Sequence, residues 1–235
     1  MKTKEEGQTL GTIRSYVIRT SRMSGAQRRG WEQHGDTYIL PYTDDTNFDA
    51  AAFFPNGPAA PLILDIGFGM GRELAELAAR WPDRNFLGVE VHKPGIGRLL
   101  LDLNRQQITN VRIIPHDAVE VCRNMIRPDS LDGIHLFFPD PWPKAKHHKR
   151  RLVRSGFPEM VAPLLKGGGY LYMVTDWEDY AMQMLEVMAT SQAFQNDYDG
   201  FAPEDAVKWR PQTAFEKKGL AKGHHIFELM YRRYS

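Results

Sequence analysis

Cysteine is almost missing from this chain. Cys122 is the one thiol in 235 residues, so no internal disulfide can form. That suits a reducing compartment. Long apolar runs are missing too: none approaches the roughly 20 residues that span a bilayer. The opening MKTKEEGQTL is charged and carries no apolar stretch, so a signal peptide is not expected and a cytoplasmic location is the default. An excess of one charge is also lacking. Lys and Arg number 30 against 29 Asp and Glu, a formal net charge of +1, so affinity for a polyanion must come from local clustering. Internal repeats are absent, and the crossovers between apolar segments are too short to house a second domain. The length suits one α/β domain with a short appendage.

Residues 1–35 show no sustained periodicity and include Arg14, Arg19, Arg22, Arg28 and Arg29; they read as a flexible basic arm, or as an ordinary frayed terminus. Residues 36–235 read as one domain. Apolar strands are expected at 62–66, 86–91, 111–115, 131–138 and 169–175, with a closing strand at 225–231. Helices are expected at 72–81, 95–107, 118–126, 152–165 (broken or re-aimed near Pro158 and Pro163) and 177–190. Strands alternating with helices predict a parallel sheet covered on both faces, a doubly wound α/β fold. The polar, basic stretch 201–223 reads as a long functional loop, with a short helix at 204–209. Met182, Met184 and Met188 read as core, and Cys122 as a small buried helix residue.

Carboxylates recur where the strands end: Asp65, Glu90, Asp117, Asp140 and Asp176. In open α/β sheets ligands bind outside those ends. Gly67, Gly69 and Gly71 follow the first strand and let the backbone bend tightly and approach a ligand. A GxGxG turn alone fits NAD, FAD, nucleotide or S-adenosylmethionine sites. Asp65 discriminates, because a pyrophosphate beside it is opposed, whereas the ammonium and sulfonium of S-adenosylmethionine are helped. Glu90 stands where an acid pairs with ribose hydroxyls, and Asp117 where the adenine amino group can be accepted. Taken singly, each acid is equally a helix cap or turn residue.

The most distinctive stretch is FFPDPWPKAKHHKRR, residues 137–151. Its prolines remove backbone donors and stiffen the turn that carries Asp140 and Trp142. A cationic tract follows, with Lys144, Lys146, Lys149, Arg150, Arg151 and Arg154 around His147 and His148 and no acid between. Phosphate binding suits it. Adjacent histidines in a cationic run, with no Cys or carboxylate at ligand spacing, do not suit a metal. Trp142 and Phe215 are candidates to stack on an extruded base; for Trp142, packing against the sheet edge is equally open.

DIGFGMG, VEVHKPG, HDA, FFPDPWPKAKHHKRR, VTDWEDY and PQTAFE together resemble the bacterial tRNA (guanine-N7-)-methyltransferase family, TrmB, from about Leu62 onward. The arm segment IRSYVIRTSRMS is similar as well. The resemblance implies a class I S-adenosylmethionine-dependent methyltransferase. Its fold would be Rossmann-like, a doubly wound, mostly parallel seven-stranded sheet. The implied reaction is methylation of N7 of guanine 46 in the variable loop of tRNA, with tRNA as partner and no metal, membrane or obligate protein partner. By resemblance, Asp65, Gly67, Gly69, Gly71, Glu90, Asp117, Ala118 and Asp140 hold S-adenosylmethionine. Asp140 sits where cofactor meets base. Lys144, Asp176, Thr213, Ala214, Phe215 and Glu216 meet the guanosine, and Lys146, His147, His148, Lys149, Arg150 and Arg151 contact RNA. Ala214 departs from the family, which usually has a basic residue there.

The implied chemistry is undemanding in protons. N7 carries a free lone pair, so no strong general base is required. Alignment can supply roughly 7–11 kcal/mol of barrier reduction. A carboxylate near the purine favours the positive charge arriving there. Three rival readings remain: a methyltransferase for another RNA guanine or a small molecule, a noncatalytic RNA-binding module, and a nicotinamide dehydrogenase. The basic tract weighs against a small substrate, the acidic strand ends against a pure RNA binder, and Asp65 against the dehydrogenase.

Overall fold

The computed structural model describes residues 14–16, 22–46, 48–204, 206–212, 216, 219–221, 223 and 225–235. Strands β1 (Leu62–Ile66), β2 (Asn85–Val89), β3 (Val111–Ile114), β4 (Leu131–Phe137), β5 (Leu165–Thr175), β6 (Phe194–Asn196) and β7 (Phe227–Arg233) form one sheet in the order β3-β2-β1-β4-β5-β7-β6. All five positions of β1 and of β2 are buried, as expected for central parallel strands covered on both faces. β7 runs antiparallel to both β5 and β6. The seven-stranded, mostly parallel sheet is the expected one.

Helices α2 (Arg72–Arg80) and α3 (Lys93–Gln106) cover one face, where Ile63, Phe86 and Ile113 meet Leu74, Leu77, Leu99 and Leu103. On the other face Leu64, Leu136 and Met173 meet α4 (Ala118–Asn124), α5 (Phe157–Val161) and α6 (Glu178–Ala189). Between β1 and β4 the strand order reverses direction, which opens a crevice at the carboxyl ends of both.

Several elements differ from the sequence expectation. Residues 25–35, read as part of the flexible arm, belong to helix α1 (Gly25–Tyr38). Ser24 caps it reciprocally with Gln27, at 3.2 and 2.8 Å. Its buried face is made largely of glycine, so it carries no apolar periodicity. A methyl group at Gly97 of α3 would lie 2.4 Å from the Gln27 carbonyl oxygen, and one at Gly30 would lie 2.5 Å from the Gly97 oxygen. Two backbones therefore touch directly. Gly97→Val is expected to displace α1 and cost about 1–3 kcal/mol, an overpacking penalty. Thermal unfolding and faster amide exchange confined to α1 check it.

The helix expected at 152–165 is shorter. Gly156 at φ 85° and the prolines confine it to α5, followed by a 3-10 turn at Ala162–Leu164. Residues 204 and 206–209 form turns and bends, not a helix. β6 is three residues long, too short to read as a run. Met184 and Met188 are buried, but Met182 is 47% exposed, because it lies two residues from Met184 and so on the opposite face. Cys122 is buried, and burial pushes its thiol up to about 12. Among the described residues no helix is long and apolar enough to cross a membrane.

Candidate active site

At the crevice, β1 runs into a turn whose glycines serve two purposes. Gly67 (φ 74°) and Gly69 (φ 59°) have left-handed backbones, and a methyl group on either would meet nothing within 4 Å. Their conformation demands glycine and their open side faces a cavity. Gly71 (φ 72°) does otherwise: a methyl group there would lie 2.8 Å from the Leu99 side chain, and it lines neither cavity described below. It seats α2 against α3.

Glu90 follows β2 and locks the turn. Its carboxylate accepts from Gly69 N at 2.8 Å, Val91 N at 2.7 Å and His92 N at 2.9 Å. A carboxylate has about four acceptor positions, which leaves room for a ligand hydroxyl. Asp117 caps α4, accepting from Val119 N at 2.7 Å. It also accepts from the Tyr16 hydroxyl. Burial first, then the Asp117 charge, raises the Tyr16 phenol above its ordinary value. Next to Asp117, His116 stacks on Tyr42 with ring centroids 3.8 Å apart.

These parts enclose a cavity of roughly 240 Å³ lined by Gly67, Gly69, Glu90, Ala118 and Asp140, with Tyr16 and His116 also on its wall. Among the described residues no lysine or arginine lines it. There a dianionic pyrophosphate would meet Glu90 and Asp140, whereas a cationic ligand is matched; Arg72 lines the adjoining recess and not this cavity. The donor set and the open glycine cradle thus fit S-adenosylmethionine. Asp65 lines an adjoining recess of roughly 180 Å³ that shares Gly67, Gly69 and Phe138 with the first. It is buried, with His135 Nδ1 3.9 Å from its carboxylate.

Asp140 stands exposed on the proline turn. Two residues of that turn without glycine's freedom, Phe138 (φ 51°) and Trp142 (φ 45°), have left-handed backbones. Trp142 is half-buried and held by three contacts. Its Nε1 donates to Ser15 O at 3.1 Å, the Arg150 guanidinium covers its ring at 5.0 Å, and His147 meets it edge-on at 5.8 Å. Lys144, Lys146 and Lys149 are exposed. Desolvation and the neighbouring Lys146 and Arg150 lower the His147 pKa, so protonated His147 is disfavoured within the cationic tract.

Arg151 departs from the expected RNA contact. It is 1% exposed, and its guanidinium donates to Pro141 O at 2.8 Å, Gln183 Oε1 at 2.7 Å and Asp179 Oδ2 at 2.5 Å. Nothing in a run of cations distinguishes it from Arg150 by sequence.

Of the residues expected at the guanosine, Asp176 and Glu216 line separate recesses. Asp176 lines a recess with Trp177, Glu178 and His225. Glu216 lines another, of roughly 540 Å³, that shares His225. Glu216 is also paired with Arg210, at 2.6 and 3.1 Å. Arg210 reaches Glu228 at 2.5 Å and Tyr172 at 3.0 Å. Burial works against its charge, but Glu216, Tyr172 and Glu228 outweigh it and raise its pKa. Trp209, before it, sits among Trp81, His135 and Tyr172, and Arg80 donates to its carbonyl at 2.6 Å. Thr213, Ala214 and Phe215 lie outside the described residues. Tyr16, Arg210 and the true place of Arg151 are what the sequence reading missed; an aromatic inside an arginine-rich arm was the one available signal.

Residues 59–229 match a family model described as "Putative methyltransferase". The chain is 47% identical over 229 residues to the tRNA (guanine-N(7)-)-methyltransferase of Paraburkholderia xenovorans, covering 97% of this chain and 86% of that protein. It is 49% identical over 224 residues to the protein of the same name from Burkholderia mallei, covering 95% and 83%. Among solved structures, the 16S rRNA methyltransferase KamB superposes with a TM-score of 0.54 at 14% identity, covering 95% of this chain and 99% of that one. A 16S rRNA (adenine(1408)-N(1))-methyltransferase from Catenulisporales acidiphilia gives 0.53 at 14% identity, covering 77% and 88%. At such identity these two speak for the fold alone.

Proposed function

Because the chain belongs to the tRNA (guanine-N7-)-methyltransferase family, we propose that it transfers the methyl group of S-adenosylmethionine to N7 of guanine 46 in the variable loop of tRNA, forming 7-methylguanosine. The observation that supports this reading is the cavity wall: Glu90 and Asp140 beside an open glycine cradle, with no lysine or arginine among the described residues that line the cavity, next to an exposed cationic tract. A site for a cationic small molecule thus adjoins a surface for a polyanion.

In this reading Gly67, Gly69, Glu90, Ala118 and Asp117 hold the adenosine portion, and Asp65 faces the amino-acid tail from the adjoining recess. When bound, S-adenosylmethionine supplies the methyl group from its sulfonium. Asp140 positions the guanine and stabilises the positive charge that the purine acquires. Lys144, Asp176, Glu216 and residues 213–215 meet the guanosine, with Asp176 or Glu216 accepting from its N1–H and amino edge. Lys146, Lys149 and Arg150 neutralise phosphates, and His147 and His148 contact the RNA beside them. Helix α1 and the residues after it act as one methyltransferase domain, preceded by a shorter basic arm, and the proposed substrate suits a cytoplasmic enzyme.

The test is methyl transfer from labelled S-adenosylmethionine to unmodified tRNA transcript, compared with a transcript carrying adenine at position 46. Label is expected at N7 of the first and absent from the second. Equal labelling of both transcripts would move the target elsewhere in the RNA.

A further inference from the structure

The proline turn cannot hold itself in place. Pro139, Pro141 and Pro143 contribute no N–H, so three backbone donors are missing where they are most needed. Phe138 and Trp142 at φ 51° and 45° adopt a backbone that side chains of their size disfavour. Such a conformation persists only when its surroundings over-determine it. Across Pro141 the hold comes from the Arg151 side chain, whose Nε donates to the Pro141 carbonyl at 2.8 Å.

The same guanidinium reaches two further pieces. Nη1 and Nη2 donate to Gln183 and Asp179 on α6, at 2.7 and 2.5 Å, and Nη2 lies 3.1 Å from His148 Nε2. Its planar face covers the ring of Tyr180 at 4.9 Å. Gln183 returns a bond to the Val153 carbonyl at 2.8 Å, and the Tyr180 hydroxyl accepts from Val153 N at 3.0 Å. One buried cation therefore ties the turn carrying Asp140 to the helix that begins two residues after Asp176. A lysine could not do this, because it lacks the planar fork that reaches three acceptors in fixed directions.

We propose that Arg151 is a positioning residue for methyl transfer: it sets Asp140 relative to Asp176, and so the guanine between them, and makes no contact with RNA phosphate. This rests on the roles assigned to those carboxylates in the proposed function. The consequence separates two neighbours in sequence. Loss of a phosphate contact lowers the dependence of log Kd on log salt by about one and weakens binding. Loss of a positioning group lowers kcat and leaves that dependence alone.

The experiment compares Arg151→Lys, Arg151→Ala and Arg150→Ala with the native enzyme, reading single-turnover rate, KM for tRNA transcript, and Kd from low to high salt. Arg151→Lys and Arg151→Ala are expected to cut the rate by roughly 10- to 100-fold with the salt dependence unchanged. Arg150→Ala is expected to do the reverse. Should Arg151→Ala fold poorly, Asp179→Asn removes one anchor from the exposed side and is expected to lower the rate about 3- to 10-fold, again without moving the salt dependence. A reduced salt dependence with an unchanged rate in the Arg151 variants overturns the proposal. Failure of the underlying reading is distinguishable, since the native enzyme would then not label N7 of guanine 46.

Discussion

Asp140→Asn is expected to lower the single-turnover rate of methyl transfer by roughly 100- to 1,000-fold, with tRNA Kd within a factor of about three of native. The replacement keeps size and hydrogen-bonding reach but removes the negative charge. During transfer a neutral purine becomes a cation, so a fixed carboxylate interacts more strongly with the transition state than with the bound base. Asp140 is suited to this by its place: it lines the cavity walled by Gly67, Gly69 and Glu90 and stands on a turn rather than in the core. Its loss should therefore appear in the rate and not in folding. Filter binding of labelled transcript separates the two quantities. Full turnover by the asparagine variant with intact binding would remove Asp140 from its role.

Gly95→Ala is expected to weaken S-adenosylmethionine binding at least ~100-fold, about 2.7 kcal/mol, although Gly95 touches no ligand cavity. The added methyl group would lie 1.9 Å from the Gly69 carbonyl oxygen and 2.8 Å from its carbon. Both contacts are to backbone, so no side chain can rotate out of the way. The Gly69 peptide must move, and its N–H then leaves Glu90 Oε2, now 2.8 Å away. Both walls of the cradle are lost together. Alanine is the better helix former, so α3 itself should gain. Circular dichroism is expected to stay native while calorimetric titration with the cofactor loses its signal. Native affinity in this variant would show that the turn can relax without cost.

What the sequence could say depended on whether a residue's role lies in its neighbours along the chain. β1 and the glycines after it were legible because five consecutive buried positions and a left-handed turn leave direct marks on composition. The carboxylates at strand ends were legible because a strand's end fixes where its next side chain stands. Helix α1 was not, since it docks through glycine against glycine and so lacks the apolar stripe that periodicity detects. The different settings of Arg150 and Arg151 were invisible for another reason. One covers an indole at half-exposure and the other is sealed under Tyr180, a difference set by α6, which lies some 30 residues away in sequence. Gly71 sits in the same motif as Gly67 and Gly69 yet serves helix packing, a distinction only the surroundings of its missing side chain reveal.

The place of β7 has a consequence for how the molecule is made. Of the described strands it comes latest in chain order, yet it lies between β5 and β6 and is the one that pairs with β6. A ribosome delivers the chain from its N-terminus, and the early part of a domain emerges first. The nascent sheet must therefore wait as β3-β2-β1-β4-β5, with the edge of β5 from Tyr170 to Thr175 unpaired until its antiparallel partner arrives. An unpaired apolar edge is a template for the wrong partner. During that interval the nascent enzyme depends on fast delivery of β7 more than its finished stability would suggest.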